Sequence, residues 1–262
     1  MGSELAVHHS LPVNVHRRSH AAIAALFVLV ACSHRVPQGT VEVIDTSLSI
    51  TPRAEKVALD AVQKQIIHMQ RGDQLVIIPI TGDAANDAGG RILRLSAPTQ
   101  REAYDADLHR FLEQAGKQFG AWVASLDQHQ SRTDILGALD AARQELALLP
   151  NGMNPKLVIV SDFLEDDGTY SFVSAGSLAS PARARELAAR LLEQHEFTLQ
   201  GVPLCLGRLE SSDFAPLAAQ RKEAVLAFWP AYFAAGGEPT EIQFDGTGIL
   251  ADTERGCFGG QR

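Results

Sequence analysis

Residues 40–49 read Thr40-Val-Glu-Val-Ile-Asp-Thr-Ser-Leu-Ser49, an apolar run that ends in a carboxylate and alternating hydroxyls. The run predicts a short strand, and Asp45, Ser47 and Ser49 follow it directly. A tight turn at this point directs three oxygen atoms toward one spot. Such hard oxygen ligands suit Mg²⁺ or Mn²⁺, and the absence of His and Cys from this segment disfavours zinc.

Apolar runs and amphipathic segments alternate along the rest of the chain. The run at 74–80 is β-branched, which is typical of a strand buried on both faces, whereas 91–95 is less apolar and predicts an edge strand. The alternation predicts a single α/β domain whose mostly parallel sheet has helices on both faces. Strands are predicted at 40–44, 74–80, 91–95, 156–160, 198–206 and 240–244, and helices at about 52–70, 100–127, 134–149, 182–193 and 215–234.

Two further loops reach the edge of the sheet where the first strand ends. In a sheet of this type ligands bind outside the carboxyl ends of the strands. The strand at 156–160 ends in Ser161-Asp162, which adds a second carboxylate, and Thr133 brings a hydroxyl to the start of the helix at 134–149. Two carboxylates on neighbouring strand ends repel each other unless a cation lies between them.

Each of these polar residues also has a structural interpretation. Ser47, Ser49 and Thr133 are residue types that cap helices, and Asp134 is interpreted as a helix cap. The acidic run at 165–167 is interpreted as a solvated loop close to Asp162.

Taken in order, these three segments resemble a von Willebrand factor type A domain with a metal-ion-dependent adhesion site. The resemblance covers about residues 40–250 and implies a doubly wound, Rossmann-like sheet of strand order 3-2-1-4-5-6, with 91–95 as an antiparallel edge. It also implies that Mg²⁺ or Mn²⁺ binds an acidic group, Asp or Glu, of a protein partner. The implied metal ligands are Asp45, Ser47, Ser49, Thr133 and Asp162.

The third segment departs from the pattern of better-known members. Ser161-Asp162-Phe163-Leu164 stands where the family usually has Asp-Gly. The carboxylate is retained, and the backbone of this loop is expected to differ.

Two other functions remain open from the sequence. A metal-assisted phosphoesterase also uses an Asp after a strand, but the chain has neither a suitable Asp-x-Asp pair nor a phosphate-binding Gly-Lys-Ser/Thr loop, and the three loops offer no His or Lys as a base. We therefore do not expect an enzyme. A purely structural metal that fixes the loops is the other alternative.

Composition narrows the classes of partner. The chain has 262 residues, 23 Lys plus Arg, 31 Asp plus Glu and a net charge of −8. Such a balance disfavours nucleic acid, whose binding depends on clustered basic residues. The three cysteines exclude a disulfide scaffold, but pairing of Cys205 with Cys257 is left open, as are the oligomeric state and the identity of the partner.

The N-terminal segment is interpreted as an export signal. A basic stretch at 16–20 precedes a continuously apolar run at 21–30, which is too short for a permanent transmembrane span. Leu29-Val-Ala-Cys32 resembles a bacterial lipobox, which implies lipidation of Cys32. The expected organisation is a signal peptide (1–31), a lipid-anchored linker (32–39), the domain (40–250) and a tail (251–262). The expected location is the bacterial cell envelope, at the periplasmic face of the outer membrane or at the cell surface.

Overall fold

The described strands form a sheet and are β1 (Gln38–Asp45), β2 (Gln74–Ile80), β3 (Leu93–Ser96), β4 (Asn154–Ser161), β5 (Leu204–Arg208) and β6 (Ile242–Asp245). Their order in the sheet is β3-β2-β1-β4-β5-β6, with β1 near the centre. Only the pairing of β2 with β3 is antiparallel; the other four pairings are parallel. The predicted strand order, the antiparallel edge strand and the α/β class are therefore confirmed.

Within the described residues, five helices cover the two faces of this sheet. They are α1 (Pro52–Ile67), α2 (Ala106–Ser125), α3 (Ile135–Leu148), α4 (Pro181–His195) and α5 (Ala219–Ala235). The computed structural model describes residues 35–84, 91–100, 105–126, 131–173, 178–195, 197–199, 201–235 and 242–245. All of these strands and helices belong to one compact unit, Val36–Arg262.

The core forms on both faces because alternate residues of the buried strands point in opposite directions. Val41 and Val43 of β1 join the apolar cluster that includes α3, α4 and α5. Ile44, on the opposite face, joins a cluster with α1 and α2. Burial of both faces explains why β1, β2 and β4 have long apolar runs rather than an alternating pattern.

Three predicted boundaries are wrong by several residues. The strand predicted from 198 begins at Leu204, because a turn intervenes in which the Val202 amide donates to the Leu199 carbonyl and Gly201 has a φ of 76°. Helix α2 begins at Ala106, after the left-handed Asp105, rather than near 100. Helix α5 begins at Ala219 rather than near 215.

Several predictions fall outside the described residues. The proposed signal peptide and Cys32 lie there, as does Cys257. Cys205, in β5, is disulfide-bonded. Within the described part of the chain, no helix is both long enough and apolar enough to cross a membrane.

Candidate metal centre

The loop after β1 presents its polar side chains in a compact turn. The Ser47 amide donates to Oδ1 of Asp45 at 2.9 Å, which fixes the carboxylate against its own loop. The hydroxyls of Ser47 and Ser49 lie 3.0 Å apart. Helix α1 is capped by Thr51, whose side chain accepts from the Ala54 amide, so neither serine is the cap of this helix.

The loop after β4 brings the second carboxylate to the same place. Ser49 donates its hydroxyl to Oδ2 of Asp162 at 3.1 Å, and the Leu164 amide donates to Oδ1 at 2.9 Å. The Ser161 hydroxyl donates to Oδ2 of Asp45 at 2.6 Å. The two loops, which are more than a hundred residues apart in sequence, are thus joined through hydroxyl groups.

Thr133 approaches from a third direction. It is buried, and its backbone pairs with Asp166: the Thr133 amide donates to the Asp166 carbonyl at 3.1 Å, and the Asp166 amide donates back at 2.8 Å. The structure therefore places the segment that carries Thr133 beside the loop after β4. As predicted, the helix cap is Asp134, whose side chain accepts from the Gly137 amide at the start of α3.

A cavity of about 260 Å³ opens over these loops. Ser47, Ser49 and Thr133 line it together, while Asp45 and Asp162 are almost completely buried beneath the surface. Leu48 stands beside the cavity with 59% of its surface exposed. The other lining residues are Ser131, Leu164, Asp166, Val173, Ser212 and Asp213.

Phe163, which follows Asp162, has an unusual backbone conformation for a residue with a side chain. Its φ of 63° is left-handed, which costs a residue with a side chain about 1–2 kcal/mol. The ring is fully buried against Trp229, with centroids 5.9 Å apart, and the Trp229 indole N–H donates to the Phe163 carbonyl at 2.9 Å. Packing and this hydrogen bond hold the strained residue between Asp162 and the acidic run that follows.

The acidic run at 165–167 is not simply a solvated loop. Glu165 is fully buried, and its Oε2 accepts from the amides of Ile135 and Leu136, at 3.0 Å each, at the start of α3. Burial, together with the charges of Asp134 and Asp167, raises the pKa of Glu165 well above its ordinary value. Spacing alone did not reveal this role, because a short acidic run is more often exposed.

Burial also governs the titration of the two central carboxylates. Burial raises the pKa of Asp45, and hydrogen bonds from Ser161 and Ser47 partly oppose that increase. For Asp162, burial and then the negative charge of Asp45 raise the pKa, while bonds from Leu164, Ser211 and Ser49 lower it. Two buried carboxylates that repel each other in this way are stabilised when a cation binds between them.

The donor set fits a hard divalent cation. Two carboxylates and three hydroxyls offer only oxygen, the ligand atom that Mg²⁺ and Mn²⁺ prefer. Ser161 and Ser211 were not among the predicted site residues, although Ser161 donates a hydrogen bond to Asp45 and Ser211 donates one to Asp162. Their signal in the sequence was weak: Ser161 immediately precedes Asp162, and Ser211 lies only three residues beyond the end of β5.

The sequence matches no known protein-family profile and no curated protein. Among solved structures, the chain is similar to an aerotolerance-related membrane protein from Bacteroides fragilis, with 14% identity, 80% of this chain and 92% of that chain covered, and a TM-score of 0.39. It is similar to manganese-loaded TRAP from Plasmodium vivax, with 13% identity, coverage of 75% and 74%, and a TM-score of 0.37. A von Willebrand factor type A protein from Catenulispora acidiphila shows 15% identity, coverage of 77% and 43%, and a TM-score of 0.36.

Proposed function

We propose that this protein is a metal-dependent protein-binding module. Asp45, Ser47, Ser49, Thr133 and Asp162 hold Mg²⁺ or Mn²⁺, and the cation accepts a carboxylate of an Asp or Glu on the partner. The observation that carries the proposal is the chain of hydrogen bonds from Ser47 through Ser49 to Asp162, at the base of an open cavity.

The chemistry of the ligands favours recognition of an acidic group. The hydroxyls are neutral, so two carboxylates at most balance the charge of a divalent cation, and a site on the cavity side is left for an incoming anion. The exposed Leu48 offers the partner apolar contact beside this position. Among the described residues that line the cavity there is no His or Lys to serve as a general base, which favours binding over hydrolysis.

The module is proposed to be exported and lipid-anchored through Cys32, after removal of residues 1–31 and with residues 40–250 as the binding domain. This part of the proposal is supported by the resemblance of Leu29-Val-Ala-Cys32 to a lipobox. A Cys32→Ser variant should pass from the membrane fraction to the soluble fraction of the producing bacterium.

The central test is a titration of the full-length chain with Mn²⁺, followed by electron paramagnetic resonance. We expect one tightly bound ion, and Asp45→Asn should weaken it by at least roughly a hundredfold because a direct carboxylate ligand is lost. Asp60→Asn, the same change at an exposed position of α1, should bind like the wild type. Unchanged Mn²⁺ affinity in Asp45→Asn would overturn the proposal.

Partner recognition is tested separately from metal binding. Proteins from the cell envelope are captured on the wild-type chain with Mg²⁺, with EDTA, and on Asp45→Asn with Mg²⁺. A partner retained only in the first condition supports the proposal, whereas capture that ignores EDTA contradicts it. Metal that raises the melting temperature without any captured protein indicates a structural ion, and Mg²⁺-dependent hydrolysis of p-nitrophenyl phosphate that Asp45→Asn abolishes indicates a phosphoesterase.

A further inference from the structure

A second group of carboxylates lies at the start of α3. Asp134, Glu165 and Asp167 each offer an oxygen, and these oxygens all lie within 4.8 Å of one another. None of the three belongs to the proposed ligands of the first centre. Oxygens that surround one Ca²⁺ at about 2.3–2.6 Å are separated by comparable distances.

Glu165 carries an oxygen that lacks a partner. The side chain is fully buried, and Oε2 accepts from the amides of Ile135 and Leu136. Oε1 of the same carboxyl group is buried and has no hydrogen-bond partner among the described residues. Buried polar atoms are nearly always satisfied in folded proteins, so this oxygen points to a ligand.

The other two carboxylates are held in place before any ion arrives. Asp134 accepts from the Gly137 amide at 2.7 Å and from the Ala84 amide at 2.8 Å. Asp167 accepts from the amides of Thr169 and Tyr170 through one oxygen, Oδ1, at 2.6 Å each. Fixed oxygens lose little freedom when a cation binds, which favours affinity.

The charge of the cluster selects the type of ion. The amides at the start of α3 supply roughly half a positive charge, whereas three carboxylates carry up to three negative charges. Mg²⁺ retains several waters and is usually bound by one or two carboxylates, whereas Ca²⁺ accepts six to eight oxygens in flexible geometry. Glu165 has no opposite charge in any ion pair of the described residues.

We propose that Asp134, Glu165 and Asp167 form a second cation site, specific for Ca²⁺, which ties the loop after β4 to the start of α3. Thr133 immediately precedes Asp134, and its backbone pairs with Asp166. Ca²⁺ binding therefore stiffens the segment that carries Thr133 to the first centre. The ligands and the preferred ion of this site differ from those of the first centre, so it can be tested even if the proposed function is wrong.

The test uses the full-length chain with Asp45→Asn, which removes a proposed ligand of the first centre. We expect this variant to bind one Ca²⁺ by calorimetry and to bind Mg²⁺ more weakly. Tb³⁺, which replaces Ca²⁺, should show luminescence sensitised by Tyr170, whose amide contacts Asp167. Adding Glu165→Gln should weaken Ca²⁺ binding by at least roughly tenfold, because one charged ligand becomes neutral.

Glu193→Gln makes the same chemical change at an exposed position of α4 and serves as the matched control. Circular dichroism in EDTA shows whether each variant folds; if Glu165→Gln does not, Asp167→Asn, at a partly exposed position, replaces it. The proposal is overturned if Asp45→Asn binds no Ca²⁺ at millimolar concentration, or if Glu165→Gln and Glu193→Gln bind it equally. Mn²⁺ binding by the wild-type chain reports separately on the first centre.

Discussion

The two carboxylate clusters at this end of the sheet differ in the groups that hold them. In addition to backbone amides, the hydroxyls of Ser49 and Ser161 donate to the carboxylates of the first cluster. In the second cluster, the donors to Glu165 are backbone amides at the start of α3. A hydroxyl oxygen can donate to a carboxylate and still bind a cation, but an amide N–H cannot bind one. The first cluster therefore combines charged and neutral ligands, while the second relies on carboxylates.

This difference has a consequence for binding. Two carboxylates at most neutralise a divalent cation, whereas three leave a net negative charge that repels an acidic partner. Ser47 and Ser49 of the first cluster also line a cavity with the exposed Leu48 at its edge. The first arrangement suits recognition, and the second suits fixing a loop.

Glu42 provides a baseline for both clusters. It lies in the middle of β1, fully buried, and neither carboxylate oxygen has a hydrogen-bond partner among the described residues. Burial raises the pKa of Glu42 to about 8, although the charge of Lys156 partly opposes this. A buried carboxylate without donors thus favours its neutral form. Burial also raises the pKa of Glu165 and Asp162, but hydrogen-bond donors to these two carboxylates partly oppose the increase.

The largest effect is expected at Phe163, which separates the two clusters along the loop. Phe163→Ala should lower the free energy of unfolding by about 3–5 kcal/mol, because it empties a buried aromatic site. Phe163→Gly should be less destabilised than Phe163→Ala by about 1 kcal/mol, since glycine adopts the left-handed backbone without strain. Urea unfolding measures both differences.

Phe119 supplies the control for this comparison. It is buried inside α2, where glycine is less favourable than alanine, so Phe119→Gly should be the less stable of its pair. If Phe163→Gly is less stable than Phe163→Ala, the loop does not depend on the left-handed conformation of this residue. The first cluster should lose Mn²⁺ affinity in both Phe163 variants.

A smaller loss of stability is expected when the Trp229 indole, which anchors the same loop, is replaced. Trp229→Phe leaves the buried Phe163 carbonyl without its donor and should cost about 1–3 kcal/mol of stability. It should also weaken Mn²⁺ binding, because Asp162 is the neighbouring residue. Differential scanning calorimetry and Mn²⁺ titration measure the two changes.

Trp122→Phe removes an equivalent bond, since the Trp122 indole N–H donates to the Arg91 carbonyl at 2.6 Å. Trp122 contacts neither cluster through this bond, so its variant should lose stability without losing Mn²⁺ affinity. Equal loss of affinity in both tryptophan variants would show that general destabilisation, rather than the anchored loop, affects the centre.

Per pH unit, the smallest expected effect concerns Glu42. The folded chain retains this proton between the ordinary pKa of 4.5 and about 8, whereas the unfolded chain releases it. Stability contributed by the neutral carboxyl group is therefore fully present below the unfolded value and is lost as pH rises, by at most about 1.4 kcal/mol per unit. The wild-type chain should show this slope relative to Glu42→Gln in urea unfolding from pH 5 to 9 with EDTA.

Glu193→Gln, at an exposed position, should keep the wild-type slope. If Glu42→Gln also keeps it, Glu42 is ionised in the folded protein and is stabilised by a group other than those described.

Prediction from sequence succeeded where a local pattern carries the information. The β-branched run at Gln74–Ile80 matched β2 at both ends, and the Asp134 cap followed from its place before an apolar helix. The loop at 199–202 was missed, because a turn before β5 contains residues that also suit a strand. The burial of Glu165 was missed because its partners, the amides of Ile135 and Leu136, lie thirty residues away.

The sequence alone determined the α/β class, because alternating strands and helices have few right-handed ways to wind. The resemblance of its polar loops to a known family implied the strand order, and the ends of two strands placed Asp45 and Asp162 at one edge. Tertiary structure decided how these carboxylates are held and which neighbours share them. Those contacts join residues far apart in the chain, such as Ser161 with Asp45 and Trp229 with Phe163. Their strength depends on distance and burial, which emerge only when the loops pack together.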